Sequence, residues 1–151
     1  MNVDRSYAAE NDAQRERLRA LVARLSDGEL GRSLDAGWTV ASVLGHLAFW
    51  DQRLLVLLER WERQGPSAVP RALDESVVDW INDATKPLLL ALLPRRAADV
   101  ALAIAEAVDR KARALPDEFV VRNAAAGNPV NLRRAEHRRE HLDEIERALT
   151  R

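Results

Sequence analysis

His137 and His141, in the stretch AEHRREHLDEIERAL, stand one helical turn apart, in a chain whose only other histidine is His46. Two imidazoles four positions apart on a helix share a face and can both reach one metal ion at about 2.0–2.1 Å. On helical wheels at about 100° per residue, His46 sits roughly 120° from the middle of its helix's apolar stripe. His137 and His141 sit roughly 100–140° from theirs. All three therefore lie at the edge of an apolar face, the placement that a site between two neighbouring helices requires. Wheels do not show whether the two flanks meet. The plainer readings stay open: His46 as a core histidine bonded to a carbonyl, and His137 and His141 as part of a solvated face.

The elements that must position these residues are almost all helical. The first helix spans Asp4 to Leu25 on the rhythm of Tyr7, Asn11, Gln14, Leu18, Leu21 and Leu25. Ser26 and Glu29 have capping-box spacing and predict a short helical turn, and DAGW reads as a loop. Thr39 is a fitting N-cap for a long helix to about Gln64, whose wide apolar arc predicts burial against more than one neighbour. Asp74 can cap a further helix carrying Val77, Val78, Ile81, Leu88, Leu89 and Leu92. Pro87 lies inside it and is expected to kink or break it near Asp83. The next helix runs from Pro94 to Leu115, with Val100, Ile104, Val108 and Leu115 as its stripe. LPDEFVVRNAAAGNPVN reads as a long, partly irregular connection. The last helix starts at about Val130, with Leu132, Ala135, Leu142, Ile145 and Leu149 inward. FVV is too short to found a sheet. The expected fold is all-α: a four-helix bundle with an additional kinked helix, in a single domain over residues 1–151. LSDGEL and LPDEFV each follow a long helix and form a faint internal repeat.

Composition narrows the functional classes. Hydrophobic residues are 47% and charged residues 31%, the balance of a soluble globular protein, and the net charge of −1 gives no general attraction to nucleic acid or anionic membrane. The arginine-rich NLRRAEHRRE is interleaved with glutamates and reads as a solvated, ion-paired face. The absence of cysteine excludes disulfides, thiolate metal sites and a cysteine nucleophile. A charged N-terminus and short apolar runs give neither a signal peptide nor a membrane span, and the reading is a cytoplasmic protein.

GWTVASVLGHLAFWDQR resembles the second-helix signature of the DinB/YfiT-like superfamily, in which a Trp precedes a polar cap and a His-Leu is followed by an aromatic and an Asp. HRREHLDEI is similar to that family's C-terminal H-x-x-x-H helix. Ile81-Asn82 and the two turns after the long helices match further recurring features. The resemblance implies a four-helix bundle holding a divalent metal through His46, His137 and His141. It also implies a relation to transferases that add bacillithiol, mycothiol or a similar thiol to an electrophile, to a mycothiol-dependent maleylpyruvate isomerase, and to homodimers. That isomerase carries an additional C-terminal domain for which this chain has no length, which argues against the isomerase activity.

Three neutral imidazoles leave coordination positions open, as catalytic sites do, and zinc, nickel and iron all suit them. Such a metal can lower a thiol's pKa or activate water. The expected function is thus a metal-dependent thiol transferase acting on a small-molecule electrophile. The alternatives are a non-catalytic metal- or small-molecule-binding dimer and a metal-dependent hydrolase. Asp51, Glu136, Glu140 and Glu144 are candidate partners for the imidazole N–H groups, and more plainly surface carboxylates. Trp38, Trp50 and Arg53 are candidates to line the substrate pocket, with Asn82 facing it. A core position for Trp50, a solvated flank for Arg53 and a local cap for Asn82 are the simpler alternatives. No general base is identifiable. The exposed side of the helix bearing Trp61 is the candidate dimer surface.

Overall fold

The computed structural model of the protein describes residues 2–68 and 71–151. Among them are seven α-helices and no strand: α1 (Ser6–Arg24), α2 (Asp27–Leu30), α3 (Val40–Gln64), α4 (Glu75–Leu90), α5 (Pro94–Arg113), α6 (Asp117–Ala125) and α7 (Arg134–Leu149). The long helices α1, α3, α5 and α7 form the bundle. Helix α3 packs on α5 and α7, α1 packs on α5 and α7, and α4 leans on α3. None of the helices is long and apolar enough to cross a membrane.

The helix starts follow local chemistry. Ser26 and Glu29 close a capping box at α2, and Thr39 does the same with Ser42 at α3. Asp74 stands at the N-cap of α4 but its side chain bonds no backbone N–H there. The two similar segments become equivalent pieces, α2 after α1 and α6 after α5. The segment read as irregular is thus largely helical over Asp117–Ala125. Helix α7 begins at Arg134 rather than at about Val130. Residues before it are held by buried asparagines instead of helical bonds. Asn123 bonds both backbone groups of Val130, and Asn11 accepts from Ala135 N–H and donates to the Leu132 carbonyl.

Helix α4 runs unbroken through Pro87 to Leu90. Pro87 lies within the last turn, so the expected break near Asp83 amounts to one missing N–H donor. The Thr85 hydroxyl donates nearby to the Ile81 carbonyl at 3.0 Å. The stripe of α5 also differs from expectation. Alanines 97, 98, 101, 105 and 112 with Val108 face the core, while Val100 and Ile104 are only partly covered. Small side chains there let α3 approach closely. At the other contact of α3, a Cβ on Gly45 would lie 3.1 Å from Leu89 Cδ2, so the glycine admits the end of α4.

The core has two apolar halves. One gathers Leu18, Leu21, Val43, Leu44, Leu47, Leu142 and Ile145. The other gathers Tyr7, Leu54, Leu58, Trp61, Val108 and Phe119. Between them lies a charged layer. Arg138, 1% exposed, donates to Asp109 (2.8 and 2.9 Å), to Asp51 (3.0 Å) and to the Asn11 carbonyl (3.2 Å). Arg134 Nε donates to the other oxygen of Asp51 at 2.8 Å, and Arg15 to Asp109 at 2.7 Å. The layer ties α1, α3, α5 and α7 together at one height. Removing one partner of such a buried set leaves charge uncompensated. Arg138→Ala is therefore expected to lower the unfolding free energy by about 3–5 kcal/mol, read as a shift in the urea midpoint. Arg122→Ala, whose pair with Glu118 is solvent-exposed, should leave the midpoint essentially unmoved.

Candidate metal centre and pocket

His46 lies two turns into α3, its register set by the Thr39–Ser42 box, and is 7% exposed. His137 and His141 occupy successive turns of α7 on the side facing it. The ring centroids are 4.9 Å apart for His46–His137 and 4.8 Å for both His46–His141 and His137–His141. Each ring meets the others edge-on, at 70–81° between planes. One nitrogen from each lies within 4.8 Å of the other two. His46 Nε2 and His137 Nε2 are 3.0 Å apart. Two nitrogens that share an ion at about 2.0–2.1 Å must stand roughly 3.0–3.4 Å from one another, so this separation suits a common cation. His141 Nδ1 is paired with Glu144 Oε2 at 3.0 Å, which leaves Nε2 as its free donor atom. His46 Nδ1 is buried without a partner. The three-histidine group fits metal binding.

Electrostatics favour the ligand form. Burial, then the neighbouring His141 and Arg134, push the His46 pKa down to about 4. His137 falls to about 2 through burial and the charges of His141, Arg134, His46 and Arg138. Both imidazoles are therefore neutral at neutral pH, as metal ligation demands.

The histidines form one wall of an open cavity of about 930 Å³ between α3, α4 and α7. Trp38, Trp50 and Asn82 line it as well. Trp38 stands edge-on to His46, with centroids 5.7 Å apart, and Trp50 Nε1 donates to Asn82 Oδ1 at 2.9 Å, bridging α3 to α4. Arg53 does not line the cavity: its guanidinium packs over the Trp50 ring at 5.7 Å. Of the four candidate carboxylates, only Glu144 holds an imidazole. Asp51 is committed to the charged layer, and Glu136 and Glu140 stand exposed at the cavity rim.

Sequence reasoning missed Asp79, Asp83, Lys86 and Arg134, which also line the cavity. The i, i+4 spacing of Asp79 and Asp83 around Asn82 was the available signal. The arginine-rich segment is likewise not wholly a solvated face. Arg134 and Arg138 are buried, while Glu136, Arg139 and Glu140 face water. Arg138 falls on the apolar stripe Ala135–Leu142–Ile145, a position at which a charge demands a buried partner.

The family model of the mycothiol maleylpyruvate isomerase N-terminal domain matches residues 12–143. The chain belongs to this family. Its members fall within the DinB/YfiT-like superfamily, and the match spans the charged layer, all three histidines and the cavity lining except Glu144. Comparisons with curated proteins and with solved structures return no match.

The lowered histidine pKa values fix a stability trend for the metal-free protein. The unfolded chain takes up protons near pH 6.5 while folded His46 and His137 do not, so stability is complete above that pH and lost below it. Urea unfolding should show the free energy falling by up to about 1.4 kcal/mol per pH unit for each of the two histidines between pH 6.5 and 5. His137→Gln should flatten the slope.

Proposed function

We propose that this chain holds a divalent metal ion through His46, His137 and His141 and transfers a low-molecular-weight thiol to an electrophilic small molecule. The convergence of three imidazoles on the wall of an open cavity carries the reading. The family supports the thiol, since mycothiol stands in its description. Bacillithiol has the same reacting group. Zinc, nickel and iron are equally suited to the imidazole set. A divalent ion in this site supplies the positive charge that lowers the pKa of a thiol and makes thiolate available at neutral pH.

The remaining work falls to the chain's own groups. Burial of His46 and His137 keeps them unprotonated and free to donate lone pairs. Glu144 fixes the orientation of His141. Trp38 and Trp50 give the cavity apolar walls, and the Trp50–Asn82 bond holds α4 at the distance that leaves room for a substrate. Arg134, held by Asp51, keeps a cation beside the imidazoles and opposes their protonation. A cytoplasmic homodimer belongs to the same reading. The exposed side of α3 is the candidate dimer surface in this reading; Trp61 itself is buried against Phe119 and takes no part in it.

Two measurements test the proposal. Protein purified without a histidine tag and incubated with zinc, nickel or iron should retain about one ion per chain, and His46→Ala and His141→Ala should each lower the affinity by about a hundredfold or more. Mycothiol, bacillithiol and glutathione should then be screened with an epoxide or a chlorinated nitrobenzene. Turnover with at least one thiol, lost in both variants, is the expected result. Protein that takes up no metal overturns the proposal. Turnover of esters or amides without thiol replaces it with a hydrolase.

A further inference from the structure

Arg134 carries donor groups that no other residue uses. The residue is only 7% exposed, yet it lines the cavity beside the histidines. Its Nε donates to Asp51 Oδ1 at 2.8 Å, which occupies one edge of the guanidinium. Among the described residues neither terminal nitrogen makes a hydrogen bond, and neither is sealed off: the covered side-chain atoms without a partner are His46 Nδ1 and Arg138 Nε. The end of the fork is therefore open, on a side chain more than nine-tenths buried. A guanidinium placed in this way can hold a planar oxyanion through two parallel N–H bonds.

The charge balance points the same way. In the buried layer the guanidiniums of Arg15, Arg134 and Arg138 share the two carboxylates of Asp51 and Asp109. At the outer end Asp12 supplements the set through Arg15. At the cavity end nothing does, because the one carboxylate paired with Arg134 is shared with Arg138. Arg53 stands near enough to feel the surplus: burial, then the Arg134 charge, push its pKa below the ordinary value. The other charges of the lining leave the fork open. Lys86 donates to the Ala36 carbonyl, and Glu144 is turned to His141. Asp79, Asp83, Glu136 and Glu140 are exposed to water, which screens them more than it screens a buried guanidinium.

We propose that Arg134 anchors a carboxylate of the small molecule that enters the cavity, through its two terminal N–H groups, one helical turn from His137. This rests on the reading that a small-molecule substrate occupies the cavity, and it makes Arg134 a binding residue as well as a member of the charged layer. An acid whose reactive atom lies a few bonds from its carboxylate can be held at Arg134 while that atom faces the histidines. A neutral molecule of the same shape has no such anchor.

The test uses metal-free, isotope-labelled protein near neutral pH, so that no bound cation can attract the anion. Benzoate and benzamide, its neutral counterpart of the same shape, are titrated while the Arg134 Nε–H and Trp50 indole N–H signals are followed by nuclear magnetic resonance. Benzoate is expected to move both signals saturably and to bind about tenfold more tightly than benzamide. Arg134→Gln should abolish that preference and leave benzamide binding unchanged, read at the Trp50 signal. Arg134→Lys keeps a charge beside Asp51 without the planar pair of donors and should reduce the preference; it decides the matter with wild type if Arg134→Gln does not fold. No benzoate binding, equal affinities for the two ligands, or a preference that survives undiminished in the variants overturns the inference. A protein that takes up no metal sinks the thiol-transfer reading and leaves this result standing.

Discussion

The guanidinium of Arg138, sealed between Asp51 and Asp109, is the constraint on which the site depends. An apolar seam between helices tolerates slippage, because one leucine can replace another at modest cost. A bidentate ion pair in a buried layer does not, since any slip strands a charge. Asp51 lies on α3 five residues beyond His46, and Arg138 directly follows His137. Locking Asp51 to Arg134 and Arg138 therefore fixes the height of α7 against α3, and with it the meeting of His46 with His137 and His141. Asp109 and Arg15 extend the lock to α5 and α1. The layer sits between the two apolar halves of the core, where it is covered on both sides.

This arrangement has an electrostatic consequence for the imidazoles. They stand beside Arg134 and Arg138, whose charges are fixed by their own partners, and burial takes away the water that would stabilise imidazolium. Protonating His46 or His137 would add a cation beside existing cations in a poorly solvated place. The folded chain thus holds the His46 and His137 rings as lone-pair donors and meets in advance part of the cost that metal binding in solution requires. The three rings pack edge-on rather than stacked, so their nitrogens share a centre.

Much of this was legible in the sequence, for identifiable reasons. The helices α1, α3, α5 and α7 follow from periodicity and caps, and the capping boxes at Ser26 and Thr39 form as their spacing indicates. The edge placement of the three histidines on their wheels matches their position at the rim of the core. What was not legible came from tertiary partners. Whether Arg138 faces solvent or a buried Asp depends on the other three helices, and the local charge pattern around it looks like an ordinary ion-paired surface. Helix α7 starts later than the local pattern indicates because Asn11 and Asn123, distant in sequence or hidden in a short helix, replace the helical bonds of Val130–Arg133. The core stripe of α5 is made of alanines rather than of the larger residues beside them, because close packing against α3 selects small side chains.

Helix α4 shows why the cavity and the metal centre can be treated as separable parts of one site. None of its residues is buried, it rests on α3 through Leu89 over Gly45 and through the Trp50–Asn82 bond, and Trp80 and Leu88 project outward at 69% and 70% exposure. Few buried contacts mean that local opening there costs much less than opening the bundle. The histidines, by contrast, are borne by α3 and α7, which the charged layer ties into the bundle. The chain thus places the groups that need fixed geometry on its most constrained helices. The wall that must accommodate a substrate lies on its least constrained helix. Substitutions on α4 can reshape that wall without disturbing the three histidines.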